Sequence, residues 1–363
     1  MKRIVAILLL SLVSLSALAA NAFSGLRDSG AGFAQVVPGK NLSFPQDHGA
    51  HPDYRIEWWY LTANLEDQQG QQWGLQWTLF RQALSADLQP TGWESNQMWM
   101  AHAAITTPEG HFYEQRFSRG GVGQAGVNSI DEDGFFNAWI DDWQWRSNTA
   151  SMFPARLSFT IEGRQINLLL EATGSQVENG IDGYSQKSSQ GQASYYYSQP
   201  HIKVRGFVSD GMEKEILSGR GWLDREWSSQ PLAANQQGWD WFSLHLDDGY
   251  KLMVYQLRHA DGEFWRSGSW INPRGELVRL DNDSVTLSST ATRSVEISSE
   301  QRKNLPMEWQ LSLPGLQRGW RIKPLYDQQW MATSVPYWEG VVMVEDEQGN
   351  PAGSGYMELT GYQ

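Results

Sequence analysis

The run Trp222-Leu223-Asp224-Arg225-Glu226-Trp227 sets two carboxylates two residues apart. In an extended chain Asp224 and Glu226 therefore share one face, and Arg225 takes the other. A carboxyl group held among large rings resists ionisation and can donate a proton, whereas one paired with an arginine stays charged and structural. The same pairing of acids and rings recurs in Glu57-Trp58-Trp59-Tyr60, in Trp239-Asp240-Trp241 and in Tyr337-Trp338-Glu339. It recurs again near the C-terminus, where Glu358 shares a face with Tyr356 and Thr360. Asp224 and Glu226 are the candidate catalytic acids. Candidate ligand contacts from the earlier motifs are Glu57, Trp58, Trp59, Tyr60 and Trp227. From the later ones they are Trp239, Asp240, Trp241, Tyr255, Glu339 and Glu358.

Other chemistries lack their residues. No G-x-S-x-G elbow, H-E-x-x-H helix or Walker loop is present. Gly121-Val122-Gly123-Gln124-Ala125-Gly126 matches a dinucleotide fingerprint in letters, yet nothing around it resembles the strand, helix and downstream acid of such a unit, so it reads as a glycine-rich turn and no cofactor is expected. His48 and His51 occupy a polar loop with only Asp47 and Asp53 beside them. That is too thin a set for a stable metal site, and none is expected.

Rings and acids need elements to hold them. The 363 residues include 19 Trp, 13 Tyr and 13 Phe but no Cys, a large investment in rigid aromatic surface. Segments between turn signals alternate apolar and polar residues. Trp73, Leu75, Trp77 and Leu79 fall on one face after the Asp67-Gln68-Gln69-Gly70 turn, and Leu157, Phe159 and Ile161 repeat the pattern before Glu162-Gly163. No sustained helical periodicity follows the N-terminal segment. The fold class is all-β, and antiparallel sheets of this number hide their edges best as closed barrels, of which two in tandem fit the length.

Residues 1–22 read as a Sec-type signal peptide: Lys2 and Arg3 precede an apolar run too short to span a bilayer, and small residues follow. The protein is expected to be exported, periplasmic or secreted, and not integral to the membrane. A lead segment covers 23–44, a first barrel 45–229 and a second 230–363. Within the first, the Ser-, Gln- and Gly-rich stretch 174–194 reads as a long loop or flap. Without Lys2 and Arg3, 26 of the 28 basic side chains face 41 acidic ones, a formal charge of −15. Nucleic acid is excluded as the main partner, because it demands clustered Lys and Arg.

Glu57-Trp58-Trp59-Tyr60, Tyr195-Tyr196-Tyr197-Ser198, Asp224-Arg225-Glu226-Trp227, Gly238-Trp239-Asp240-Trp241 and the ending Gly355-Tyr356-Met357-Glu358-Leu359-Thr360-Gly361-Tyr362 together resemble the secreted AttH-like proteins of the carotenoid 1,2-hydratase (hydroxyneurosporene synthase, CrtC-like) superfamily. The resemblance implies two lipocalin-like, calycin-type barrels in tandem and association with a four-part inner-membrane ABC transport system. In the hydratase branch histidines flank the aspartate of the box, and here those places hold Leu223 and Arg225. An alkene hydratase would use Asp224 as the acid, with Trp227, Trp239 and Trp241 as an aromatic wall.

Three functions follow. The first is an exported carrier that binds a hydrophobic, lipid- or isoprenoid-like small molecule as an accessory to the transporter. The second is an enzyme, a hydratase of an isoprenoid alkene before a lipid hydrolase. The third is a scaffold whose barrels are packed shut and whose rings at Tyr195 to Tyr197 form an exposed docking surface. The first two require the rings and acids to converge on an enclosed hollow instead of filling it. The enzyme also requires Arg225 not to hold Asp224 or Glu226 as a permanent anion.

Overall fold

The computed structural model describes residues 25–27, 30–87, 92–128 and 130–362; the expected signal peptide lies outside the described residues. The alternation read along the chain becomes two large antiparallel sheets. The first contains β1 (Ile56–Glu66), β2 (Gln72–Ala83), β3 (Gln97–Thr107), β4 (Gly110–Arg119), β5 (Ala125–Val127), β6 (Asn137–Ile140), β7 (Trp143–Ser147), β8 (Ala155–Ile161), β9 (Arg164–Ala172), β10 (Val177–Glu178), β11 (Tyr184–Gln186), β12 (Ala193–Ser209) and β13 (Lys214–Ser228). The second contains β14 (Gln236–Leu246), β15 (Lys251–His259), β16 (Phe264–Ile271), β17 (Leu277–Leu280), β18 (Thr286–Ser298), β19 (Gln301–Leu313), β20 (Arg318–Pro324), β21 (Trp330–Met331), β22 (Tyr337–Asp346) and β23 (Pro351–Thr360).

In the first sheet the order runs β4-β3-β2-β1-β13-β12-β9-β8-β7-β6-β5, so β13 returns to lie beside β1. β6 comes back against β2, β3 and β4, which nearly closes a barrel. The second sheet runs β17-β16-β15-β14-β23-β22-β20-β19-β18, and here too the last strand pairs with the first. Hairpin turns fall at the Asp-Gly signals. At the β1–β2 turn Gly70 takes φ +82, open to glycine without steric cost, while Asp67 Oδ1 accepts the amides of Gln69 and Gln71.

Each barrel is filled by its own side chains. Trp59, Trp77, Trp143 and Trp145 are all fully buried in the first core, and Trp309, Trp320 and Trp338 pack the second. The expected hollow is therefore not inside a barrel. Period-two alternation sends the other face of the same strands outward: Trp58 and Tyr60 of β1, Trp222 of β13, Trp241 of β14 and Tyr356 of β23 form a third apolar cluster between the sheets. The two barrels thus meet through the outer faces of β1, β2, β3 and β13 on one side and β14, β22 and β23 on the other. Gly74 permits the approach, since a Cβ there would overlap Val341 and the Tyr356 hydroxyl.

The stretch 174–194 is not a free loop. β10 and β11 pair with β12, Ser185 and Gln186 hydrogen-bond the Tyr255 hydroxyl at 3.1 and 3.3 Å, and Asn179 accepts from Ser269 at 2.6 Å. It ties the first sheet to the second. Tyr195, Tyr196 and Tyr197 are likewise not a docking surface, for all three are buried. Tyr195 and Tyr197 lie under the lead segment, where Val36 and Phe44 pack against them, and Tyr196 faces the space between the sheets.

Candidate functional site

Between the sheets lies a cavity of about 640 Å³, within the roughly 300–1,000 Å³ typical of small-molecule sites. Its first wall is set by cross-strand register. Asp224 of β13 stands opposite Tyr60 of β1, Tyr60 opposite Thr78 of β2, and Thr78 opposite His102 of β3, so four polar side chains form one row across the sheet. Two residues along each strand, Glu226, Trp58, Phe80 and Met100 make a parallel row, continued by Phe117 of β4. Ile56, Gln82 and Met98 form a third. Burial gives this wall a direction. The Asp224 row is buried, while Phe117 and Met98 are 54% and 39% exposed and mark the cavity mouth. The floor is polar and the lip is greasy.

The second sheet supplies the opposite wall in the same way. Tyr255, Trp241, Glu358 and Glu339 are cross-strand neighbours on β15, β14, β23 and β22, and Leu257 beside Trp239 flanks them. Trp239 Nε1 donates to Glu358 at 3.1 Å, and Trp241 Nε1 to the Tyr196 hydroxyl at 3.3 Å.

Asp224 is fully enclosed, and its three donors are all neutral. The Tyr196 hydroxyl donates at 2.5 Å, the Trp222 indole at 2.7 Å, and the Ser198 hydroxyl completes the set. Burial outweighs these bonds and pushes the carboxyl up to about 7. Asp224 can therefore keep its proton near neutrality, yet release it. Glu226, on the same face, is paired instead with Lys187 at 2.7 Å. Burial opposes the charge on Lys187, but Glu226 and Tyr255 together outweigh it and keep the ammonium above its ordinary range. Glu339 and Glu358 are both raised, first by burial and then by mutual or neighbouring negative charge, so the pair retains a proton where an exposed glutamate would have lost it. The Tyr60 hydroxyl donates to Glu339 at 2.6 Å.

Arg225 points away from these acids, into the first barrel. There it lies over the Trp59 ring, its Cζ 3.8 Å from the centroid, and pairs with Glu57 at 3.2 Å. Arg81 clamps the same glutamate, and His51 reaches it at 3.0 Å. Burial opposes the Glu57 charge, but Arg81, His51 and Arg225 outweigh it and hold the carboxyl well below the usual range. Asp240 is the counterpart in the second barrel. It binds Arg258, accepts from Gln256 at 2.8 Å, and is still held above its ordinary value by burial.

Of the residues singled out from the sequence, the cavity brings together Asp224, Glu226, Trp58, Tyr60, Trp239, Trp241, Tyr255 and Glu358. Glu57, Trp59, Trp227 and Asp240 lie on the opposite strand faces and do not line it, and neither does Glu339, the register partner of Glu358. Trp227 is thereby removed from the expected aromatic wall; it stacks on His51 at 3.9 Å inside the first barrel. Sequence reasoning passed over His102 and Lys187, and took Tyr196 and Ser198 as part of a motif without placing them in the site. Tyr196 and Ser198 could have been found from the spacing that puts both on one face of β12, beside Asp224. His48, the other half of the candidate metal pair, hydrogen-bonds the Tyr197 hydroxyl at 2.7 Å. Among the described residues no group of three or more His, Asp or Glu is arranged to hold a metal. No helix among them is long and apolar enough to cross a membrane.

The sequence matches the AttH-like family over residues 35–362. The chain belongs to that family. An AttH homologue from Nitrosomonas europaea is 35% identical and superposes with a TM-score of 0.78, covering 91% of this chain and 100% of its own. Kievitone hydratase from Nectria haematococca shares 15% identity with a TM-score of 0.67, covering 93% and 98%. CghA, solved with Sch210972, shares 13% at a TM-score of 0.52, covering 93% and 96%. The last two likenesses show the fold: this AttH-like chain is built from two tandem lipocalin-like antiparallel barrels. No curated protein matches it.

Proposed function

We propose that this AttH-like protein binds an apolar, unsaturated small molecule between its barrels and transfers a proton to it, Asp224 acting as the acid in an addition of water. The observation that carries the reading is Asp224 itself. It is a buried carboxyl on a cavity wall of rings, held by three neutral donors and retaining its proton up to about pH 7. A general acid works best when its pKa lies near the operating pH. Such an acid is too weak to protonate an isolated alkene, so the reading favours a double bond polarised by a conjugated carbonyl. Asp224 gives its proton to the polarised system, water adds at the far carbon, and the surplus proton of that water returns to the carboxylate. The net change is addition of one water across one double bond. Trp239 and Trp241 shelter the electron-poor carbon, as ring faces do for developing positive charge. That a hydratase is built on the same fold is in keeping with this chemistry, which here rests on the residues of this chain.

The carrier reading uses the same cavity without reaction, and the apolar lip at Met98 and Phe117 favours uptake of a greasy molecule. Export by the N-terminal leader and service to an ABC transporter belong to that proposal. One experiment separates the two. Benzylideneacetone, an apolar aryl enone whose ultraviolet band fades when water adds, should be consumed by the wild type. Asp224→Asn should lower the rate by about 10²-fold or more while still quenching tryptophan fluorescence on binding. Binding without consumption by the wild type would leave the carrier, and equal rates for the two proteins would remove Asp224 from the chemistry.

A further inference from the structure

The polar row on the cavity floor has two ends, and only one of them is used by the proton transfer. At the other end His102 is fully buried and lines the cavity. Its Nδ1 meets the Tyr337 hydroxyl at 2.9 Å, and its Nε2 has no partner. Burial lowers the imidazole to about 3, so the ring is neutral and carries one proton. Either tautomer leaves Nε2 with an unmet need, as an N–H without an acceptor or a lone pair without a donor. An unanswered buried polar atom is unfavourable, and a ligand that answers it gains affinity.

The residues between the two ends each have a partner already, unlike His102 Nε2. Tyr60 commits its hydroxyl to Glu339, and Thr78 accepts from the Gln76 amide. From Asp224 to His102 the register crosses three strand spacings, about 14 Å at roughly 4.8 Å each. Lys187 of the cavity wall is already paired with Glu226, and the neutral His102 ring offers a ligand carboxylate no charge. A hydroxyl suits the site better than a carbonyl, because it can donate or accept and therefore fits either tautomer of His102.

We infer that His102 is the polar anchor of the cavity, binding the hydroxyl group of a neutral, elongated, apolar alcohol whose far end lies about 14 Å away against Asp224. The inference deepens the reading above and rests on its claim that the cavity holds a ligand, though not on the proton transfer.

The test compares three probes of one shape: all-trans-retinol, the matching hydrocarbon without the hydroxyl, and retinoic acid. None needs to react, and affinity is read from quenching of tryptophan fluorescence. The wild type should bind retinol about tenfold or more tightly than the other two. His102→Phe, which fills the space of the imidazole, should reduce retinol to the affinity of the hydrocarbon and leave hydrocarbon binding unchanged. His102→Gln, which keeps a polar group at the site, should retain most of the preference. Intact hydrocarbon binding also reports that the variants are folded. A wild type that binds all three alike, or a preference that survives in His102→Phe, overturns the anchor while leaving the cavity reading in place. Failure of all three probes to bind overturns that reading, and the anchor with it.

Discussion

Glu57 and Asp224 sit on neighbouring strands, three register steps apart, and both are buried. They have opposite fates. Glu57 faces the barrel interior, where Arg81 and Arg225 hold it as an anion. Asp224 faces the space between the barrels, where only hydroxyls and an indole reach it and it keeps a proton. The residue beside Asp224 in sequence is one of the arginines that clamp Glu57, so strand parity alone assigns the cation to one acid and denies it to the other. One side of the strand buries a charged pair and the other presents a neutral acid to a cavity. Removing a partner from a buried ion pair is strongly destabilising, whereas removing a neutral acid's proton-holding group need not be.

The largest expected effect follows from that difference. Glu57→Gln strands two guanidinium groups in the core and should lower unfolding free energy by about 3–5 kcal/mol in urea titrations. Asp224→Asn, a near-isostere of an acid already neutral, should cause no loss at pH 6, because the amide also removes the ionisation that favours the unfolded chain. Equal losses for the two variants would erase the distinction.

A smaller effect sharpens the comparison through pH. Asp224 has a folded pKa near 7 against about 3.9 in an unfolded chain, so the native state holds a proton that the unfolded state gives up over that interval. Asp224 therefore subtracts stability as pH rises from about 4 to 7, and adds no further slope above that. Glu57 behaves oppositely. Its depressed folded pKa contributes stability that is fully present above the unfolded value of about 4.3 and fades as pH falls below it. In melting temperatures measured against pH, Asp224→Asn should flatten the decline between about pH 4 and 7, and Glu57→Gln should flatten the acid limb. Curves for the wild type and Asp224→Asn that run parallel through that window would contradict the assignment.

Much of this was legible in the chain. Alternation and Asp-Gly turns gave an all-β molecule, and the two-residue spacing put Asp224 and Glu226 on one face with Arg225 behind them. Which face was the inside was not legible. In β1 the neighbours Trp58 and Trp59 are both large rings, one facing the cavity and one the barrel core, so composition carries no polarity signal where both faces are buried. For the same reason the rings implied a hollow within a barrel when they enclose one between two. The Asp224–Tyr60–Thr78–His102 row was hidden because it depends on register among four strands, which no local pattern encodes. Lys187 was missed because 174–194 has the composition of a loop, although its strands are secured by long-range pairing to β12 and by contacts with the second sheet.

The central claim, that the cavity acid holds a proton at neutrality while the barrel acid does not, can be read directly. Aspartate side-chain carboxyls labelled with ¹³C and followed by NMR through a pH titration give one curve per residue, and the curve missing from Asp224→Asn belongs to Asp224. The account predicts a midpoint near 7 for that curve. A midpoint at or below the ordinary aspartate value of about 3.9 would contradict it.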